Sequence, residues 1–249
     1  MCFTQEYAWN PGSRPDATNR SSARARLIAD WFALDRVARS SSGKRNRTAP
    51  ALGARALCAL LPAPGQIVLL TGPSGSGKST LMRALFRRSR RSCNRIDLDR
   101  IRPADTCIID CLPGLALDAT LSLLGRVGLA EAWTFLKRPR TLSQGQRWRL
   151  RLALGIAKST REPGKSPRSI LFVDEFCANL DRVTGAIVAR TLRGAITASS
   201  SASAIVATVQ DDLASALQPD TIVECDFVRA RIRAREFPAL ISRTASTTE

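Results

Sequence analysis

The sequence predicts an α/β fold in which helices flank a mainly parallel sheet. Four short apolar runs are typical of buried strands, and they lie in QIVLL, SILFVDEF, SAIVATV and DTIVEC. Segments with helical spacing separate them, and strands that alternate with helices indicate parallel pairing with helices on both faces. Hydrophobic residues make up 44% of the 249 positions, which is enough for one large domain with its own core.

The elements follow in order from Gly65 onward. After the first strand, KSTLMRALFRR has the spacing of a helix, and the apolar run TCIID predicts a second strand. The segments LSLLGRVGLAEAWTFL and QRWRLRLALGIA then predict two helices. In the second of these helices, Leu150, Leu154 and Ile156 share the apolar side. The three remaining strands complete the sheet.

Three regions are predicted along the chain. Residues 1–50 form a basic, Ser- and Arg-rich N-terminal segment that is expected to be partly disordered, and 51–235 form the main domain, followed by a tail at 236–249. Within the first region, either one amphipathic helix or an unstructured tail fits the pattern. The helical alternative rests on apolar residues at helical spacing, namely Leu27, Trp31, Leu34 and Val37.

The chain is strongly basic, with 38 Lys and Arg against 21 Asp and Glu and a net charge of +17. This balance indicates polyanionic partners such as nucleotides, nucleic acid or anionic lipid, or else an arginine-rich solvated surface. The 7 cysteines are interpreted as reduced thiols. No apolar leader is visible at the N-terminus, and proline and glycine interrupt the longest apolar stretch. A cytoplasmic protein without a membrane span is therefore expected.

A glycine-rich loop follows the first strand. The stretch GPSGSGKST fits the pattern G-x-x-x-x-G-K-[ST] between a strand and a helix, which is the context of a phosphate-binding P-loop. Glycines let backbone N–H groups surround a pyrophosphate, and the helix N-terminus adds a favourable dipole. The lysine supplies a positive charge to the phosphates, and the serine after it is a ligand for Mg²⁺. The candidate nucleotide-binding residues are Gly72, Ser74, Gly75, Ser76, Gly77, Lys78, Ser79 and Thr80.

Two acidic residues follow the apolar run ILFV. Asp174 is placed at the carboxyl end of a strand, where it is expected to hold Mg²⁺ together with Ser79. Glu175 is the candidate that orients and polarises the attacking water.

The segment LSQGQRWRLRLA, from Leu142, resembles the LSGGQ signature of the ABC-type ATPases. Ser143, Gly145 and Gln146 match that signature, and the motif precedes LFVDE as in the family. The residues ANLD, which end at Asp181, resemble the family's D-loop. The resemblance extends from about Gly65 to Glu224. DEFCANLDRVT and ATVQDD also look like a soluble group of these ATPases that is sometimes joined to an acetyltransferase domain, although no such domain fits in this chain.

The resemblance implies a P-loop NTPase core with a helical signature subdomain. It also implies a dimer, either a homodimer or a heterodimer, in which two subunits enclose two ATP molecules. In such a dimer the signature residues would contact the partner's ATP, and hydrolysis would open the assembly.

Three features depart from the family pattern. The family's switch histidine falls in ATVQDD, where Gln210 is aligned and a shift of one residue would give Val209; the chain has 0 histidines. The family's glutamine loop lacks a counterpart, since no Gln lies between Gln66 and Gln144, and Asp110 is the substitute candidate at the end of TCIID. No aromatic residue precedes the loop closely enough to stack on adenine. Slow hydrolysis and weak discrimination among nucleotide bases are therefore expected.

The sequence thus favours a nucleotide-gated ATPase with Glu175 and Gln210 as catalytic candidates. Two alternatives remain, the energy subunit of a transporter with a separate membrane protein, and an ATPase that acts on nucleic acid. The basic clusters RRSRRSCNR and RARIRAR are either phosphate-binding or simply solvated. A regulatory module that binds ATP and barely hydrolyses it is a further class.

Overall fold

Six strands form one sheet in the computed structural model, which describes residues 54–89, 93–161, 168–226 and 230–234. In chain order they are β1 (Ile67–Thr71), β2 (Asn94–Asp97), β3 (Ser169–Val173), β4 (Ala202–Ala207), β5 (Thr221–Cys225) and β6 (Ala230–Ala234). Their spatial order is β2-β3-β4-β1-β5-β6, with the first five strands parallel and β6 antiparallel to β5. Because the chain runs to opposite sides of β1, the carboxyl end of β1 is where an open α/β sheet offers a ligand crevice.

Helices connect these strands. They are α1 (Ala54–Ala59), α2 (Lys78–Arg88), α3 (Leu117–Arg126), α4 (Ala132–Phe135), α5 (Gln144–Ser159), α6 (Arg182–Thr197) and α7 (Leu213–Leu217), with short 3-10 turns at Leu98–Arg100, Ile108–Cys111 and Pro139–Thr141.

The central strands β1, β3 and β4 are buried on both faces, as their continuous apolar runs predict. Alternate residues of β1 point to opposite sides: Ile67 and Leu69 belong to one core cluster with α5 and α6, whereas Val68 and Leu70 belong to a second cluster with α2. A parallel strand covered on both faces reads as an uninterrupted apolar run, because neither face is available to polar side chains.

The prediction of a strand at TCIID is wrong. Ile108–Cys111 forms a 3-10 turn instead. Two strands were missed: β2, which pairs in parallel with β3, and β6, which lies within the basic cluster RARIRAR and pairs antiparallel with β5. The sequence of β2, NRID, has one buried apolar side chain, Ile96, so its strand character comes from pairing with β3 rather than from its own pattern.

The single helix predicted over LSLLGRVGLAEAWTFL is also wrong, because the segment contains two helices. α3 begins earlier than predicted, at Leu117, and the chain reverses at Gly128, whose φ of 81° is in the left-handed region. There the N–H of Leu129 donates to the carbonyl of Leu124 at 2.8 Å, a closure typical of helix ends that use glycine.

The predicted N-terminal helix, the tail at 236–249 and most of the loop TREPGKSP lie outside the described residues. Among the residues that are described, no helix is long and apolar enough to cross a membrane.

Candidate functional site

The loop between β1 and α2 is shaped by glycines. Gly72, Gly75 and Gly77 have φ values of 132°, 81° and 95°, which glycine adopts at no steric cost. At Gly72 the space is also closed, because a Cβ there would collide with the backbone carbonyl of Cys225 in β5. The loop therefore packs against the neighbouring strand and turns directly into α2.

Ser76 lies within this loop and is 1% exposed. Its hydroxyl is the one buried side-chain N or O atom without a hydrogen-bond partner in the described part of the chain. A buried hydroxyl without a partner is costly, because it loses its bonds to water without replacement. The loop thus has unfulfilled hydrogen-bonding capacity of the kind that an anionic ligand satisfies.

Lys78 is the first residue of α2 and is 9% exposed. Its ammonium group donates to the carbonyls of Gly72 and Pro73 at 2.7 and 2.8 Å. The side chain therefore folds back over the loop that precedes it. A phosphate in the loop would offer this group a charged acceptor in place of neutral carbonyls.

The surroundings of Lys78 identify which acidic residues lie near it. Burial lowers the pKa of the ammonium group. The charges of Cys225, Asp174 and Asp211, in decreasing order, act in the opposite direction. Asp174 and Asp211 are thus the carboxylates close enough to the loop to act on its lysine.

Asp174 and Glu175 follow β3. The Asp174 side chain is half-buried, and its Oδ1 accepts a hydrogen bond from the Glu175 N–H at 3.0 Å. Glu175 is exposed and has a φ of 49°, a left-handed conformation that residues with a side chain seldom adopt. Such backbone conformations persist where surrounding contacts impose them, and they are frequent at functional sites.

Phe176 supplies those contacts. It is completely buried, its N–H donates to Ala207 at 2.8 Å, and its carbonyl accepts from the Thr208 hydroxyl at 3.1 Å. Its ring also meets the ring of Trp148 in α5 edge-on, with centroids 5.7 Å apart. The backbone next to Glu175 is therefore held by β4 on one side and by α5 on the other.

The residues after β4 lie at the same edge of the sheet. Val209 is 54% exposed, whereas Gln210 is half-buried and its N–H donates to the Thr208 hydroxyl at 3.1 Å. The Asp211 carboxylate forms a short hydrogen bond with the hydroxyl of Thr71 at the end of β1. Asp211 thus joins β4 to the strand that carries the loop, a role that the sequence did not indicate.

Ser143, Gly145 and Gln146 begin α5. Ser143 is the N-cap: its hydroxyl accepts from the Gln146 N–H at 3.2 Å, and the Gln146 side chain accepts from the Ser143 N–H at 3.1 Å. This reciprocal pair is a capping box, which satisfies two free donors of the first turn. A Cβ on Gly145 would lie 3.7 Å from both Asn179 and Leu180, so the signature packs beside the D-loop segment of the same chain.

Asp181 caps the next helix, α6. Its carboxylate accepts from the Thr184 N–H at 2.9 Å. The hydrogen bonds from Thr184 lower the pKa of this carboxyl group, because they stabilise its charged form. The D-loop thus ends in a fixed charged cap.

Asp110, the substitute candidate for the glutamine loop, lies in the 3-10 turn Ile108–Cys111 and is exposed. The acidic residues that β2 brings to the edge of β3 are Asp97 and Asp99. Burial, followed by the charges of nearby carboxylates, raises the pKa of Asp99, and Asp174 is one of those carboxylates. The segment that follows β2 therefore lies near Asp174. The sequence analysis did not predict this neighbour, because it did not predict β2.

The residues present fit a magnesium ion. Ser79 lies exposed in the first turn of α2, and Asp174 lies near its neighbour Lys78. A hydroxyl and a carboxylate are hard oxygen ligands, and Mg²⁺ is usually held by one or two such groups together with substrate phosphates.

Comparisons with known proteins agree with this geometry. A family model described as AAA ATPase domain matches residues 51–245. The lipoprotein-releasing system ATP-binding protein LolD of Maricaulis maris is 31% identical over 188 residues, which is 61% of this chain and 77% of LolD. The aliphatic sulfonates import ATP-binding protein SsuB 1 of Xanthomonas axonopodis is 33% identical over 150 residues, which is 49% of this chain and 56% of SsuB 1. The chain thus spans only about half the length of this second relative.

The fold has a counterpart among solved structures. A dimeric, post-hydrolysis structure of the ATP-binding cassette MJ0796 bound to ADP and Pi covers 71% of this chain, and this chain covers 89% of that one, with a TM-score of 0.51 and 20% identity. At this identity the likeness concerns the fold alone.

Proposed function

This chain belongs to the ABC-type ATPases, and on that premise we propose that it binds Mg²⁺-ATP in the loop after β1 and hydrolyses it slowly as a nucleotide-gated dimer. The observation that carries the proposal is the state of this loop. It combines an unpartnered buried hydroxyl on Ser76 with a buried ammonium group on Lys78 that is bonded only to loop carbonyls. Both groups are suited to phosphate oxygens.

Different residues bind the phosphates and the Mg²⁺ ion. The backbone N–H groups of 72–77 and the N-terminus of α2 surround the phosphates, and Lys78 places its charge on the terminal ones. Ser79 and Asp174 hold Mg²⁺, which when bound neutralises charge on the phosphate oxygens.

Glu175 is the proposed general base. Its position after β3, next to Asp174, and its left-handed backbone support this role, because they fix the backbone from which the carboxylate extends. It orients a water molecule towards the terminal phosphate and takes its proton.

Slow turnover follows from the residues after β4. The family's switch position holds Gln210, which donates hydrogen bonds but carries no charge and transfers no proton. A lost orienting contact of this kind costs on the order of 10²-fold in rate.

The signature residues are proposed to act across a dimer. Ser143 and Gly145 lie at the N-terminus of α5, where a helix favours an anion. Gly145 lies beside the D-loop residues Asn179 and Leu180, so the signature and the D-loop are close together, and we place the contact with a second subunit there. ATP bound by one subunit would then join both, and hydrolysis would separate them.

Binding can be tested with Lys78→Ala and a fluorescent ATP analogue in the presence of Mg²⁺. Binding is expected to be lost, because the charge that faces the phosphates is removed. Lys137→Ala, an exposed lysine in the helical region, is the matched control and should bind as the wild type does. Equal binding by Lys78→Ala and the control, with both proteins folded, would contradict the proposal.

A second candidate function is the energy subunit of a transporter that has a separate membrane protein and acts from the cytoplasmic side. The printed names of the relatives favour it, since LolD and SsuB 1 are ATP-binding proteins of release and import systems. The absence of a glutamine between Gln66 and Gln144 counts against it, because the family's glutamine loop is where such subunits usually couple to the membrane protein. Copurification of a membrane protein with the tagged chain from solubilised membranes would favour this second function.

A further inference from the structure

A cleft of about 440 Å³ lies away from the loop that precedes α2. It is lined by Arg83, Phe86, Arg87, Arg95 and Arg100. Two of the arginines are one turn apart on α2, one is in β2, and one is in the 3-10 turn that follows. Three separate elements therefore direct four guanidinium groups at one concave surface.

These charges are only partly neutralised. Arg100 pairs with Asp97 at 3.1 Å, while Arg83 and Arg95 donate to the backbone carbonyls of Ser79 and Phe86 at 3.1 and 2.9 Å. Each guanidinium has five N–H donors, so most of them remain available.

Arg87 forms no ion pair with any other residue that the structure describes. Four arginines thus line the cleft, and among the described residues the ion pair between Arg100 and Asp97 is the one that involves any of them, which favours an anionic ligand.

Phe86 organises the cleft. The guanidinium carbon of Arg95 lies 4.3 Å from the centroid of its ring and that of Arg100 lies 5.6 Å away, while Phe172 meets the ring edge-on at 5.0 Å. Because the ring already contacts these three side chains, it holds the guanidinium groups in place rather than stacking on a base. Recognition in this cleft would therefore be of phosphate and independent of base sequence.

We infer that this cleft binds the phosphodiester backbone of a nucleic acid. Four guanidinium groups on three elements are more than one phosphate requires, and arginine matches phosphate oxygens through paired N–H groups. An anionic membrane is disfavoured as the partner, because the large exposed apolar side chains that a lipid surface would attract lie elsewhere, at Leu117, Trp133 and Leu136 among others. The ATP loop lies at the N-terminus of α2 and is a separate site.

The test compares two double variants of the full chain. Arg83→Gln/Arg87→Gln removes two charges from the cleft, and glutamine keeps the propensity for helix. Arg126→Gln/Arg190→Gln removes two exposed charges from α3 and α6, of which α6 packs on the opposite face of the sheet. Circular dichroism checks the fold of each.

Binding of a labelled single-stranded oligonucleotide is measured by fluorescence anisotropy over a range of salt concentrations, with Mg²⁺-ATP present so that the loop before α2 is not the binding site. The cleft variant should lose affinity on the order of 10-fold, and the slope of log K against log salt should fall by about one for each phosphate contact removed. The control variant should change both quantities much less.

Equal loss in the two variants would overturn the inference, since binding would then follow net charge alone. Vesicles of phosphatidylglycerol in phosphatidylcholine and inorganic phosphate form the other arms. If the cleft variant loses vesicle or phosphate binding while its oligonucleotide binding is unchanged, the ligand is not a nucleic acid and the inference fails.

Discussion

The residues after β4 determine the charge at the terminal-phosphate end of the site. In place of a cation the chain has Val209, Gln210 and Asp211, and the Asp211 carboxylate is tied to Thr71 of β1. The negative charge of Asp211 also raises the pKa of Lys78, against the effect of burial. The family's imidazole position therefore holds a neutral amide next to a carboxylate that is bonded to β1, which is consistent with the proposed slow hydrolysis.

Gln210→His is expected to raise the rate of ATP hydrolysis. A histidine can donate a stronger, partly charged hydrogen bond to the developing phosphate charge. The gain should be about tenfold, which corresponds to roughly 1.4 kcal/mol of barrier, and a phosphate-release assay at saturating ATP measures it.

Val209→His tests the alignment of the switch position. The alignment places the switch at Gln210, which is half-buried, whereas Val209 is 54% exposed. A gain at 209 alone would move the switch position by one residue, and no gain at either position would mean that this segment does not limit the rate.

At the scale of elements, α5 connects the signature to the segment after β3 that carries Glu175. Its N-cap is Ser143, and one turn further Trp148 packs against Phe176 beside Glu175. A displacement of this helix would therefore be transmitted through the packed rings to the backbone that carries Glu175, the proposed general base. The link lies within one chain, so partner contact at the signature and the orientation of Glu175 are expected to change together.

Substitutions at Ser143 separate the capping role from contact with the partner's ATP. Ser143→Ala removes the capping hydroxyl and should lower the free energy of unfolding by about 1 kcal/mol, measured by urea denaturation. Ser143→Asp retains a cap and should keep the stability, while its charge repels the partner's terminal phosphate and prevents ATP-dependent dimerisation. If Ser143→Asp hydrolyses ATP and dimerises normally, the signature does not face a nucleotide.

Not every strand of the sheet could be predicted from the sequence. The strands β1, β3, β4 and β5 were predictable because each is a continuous apolar run. β2 was not, because NRID owes its strand conformation to pairing with β3, which is more than 70 residues away. Because of this error, Asp110 was expected at the end of a strand, whereas the structure places it in a 3-10 turn and brings Asp99, after β2, near enough to Asp174 for their charges to interact.

For the whole molecule, the candidate site could be located in sequence because its parts are local motifs at the ends of strands. The glycine loop, Asp174 with Glu175, and the segment after β4 each follow a predicted strand, and parallel strands bring these ends to one edge. What the sequence could not supply were contacts between distant segments. The bond between Asp211 and Thr71 and the grouping of four arginines around Phe86 depend on the folded sheet.

The dimer is the property of the whole molecule that most needs a test, and Glu175→Gln provides it. Glutamine has the shape of glutamate but cannot accept the proton of the attacking water, so ATP should remain bound and the bridge to the second signature should persist. We expect Glu175→Gln to hydrolyse ATP more slowly than the wild type by on the order of 10²-fold or more, the usual effect of losing a general base. Size-exclusion chromatography with light scattering should show a dimer with ATP and a monomer without it.

The double variant Glu175→Gln/Ser143→Asp is the matched control for that dimer. It keeps the blocked catalytic position but places a carboxylate at the N-terminus of α5, where the partner's terminal phosphate would lie. It should therefore remain a monomer with ATP, because two negative groups would meet at the interface. A dimer that persists in the double variant would be joined through another surface, and a Glu175→Gln protein with the wild-type hydrolysis rate would show that a different group activates the water.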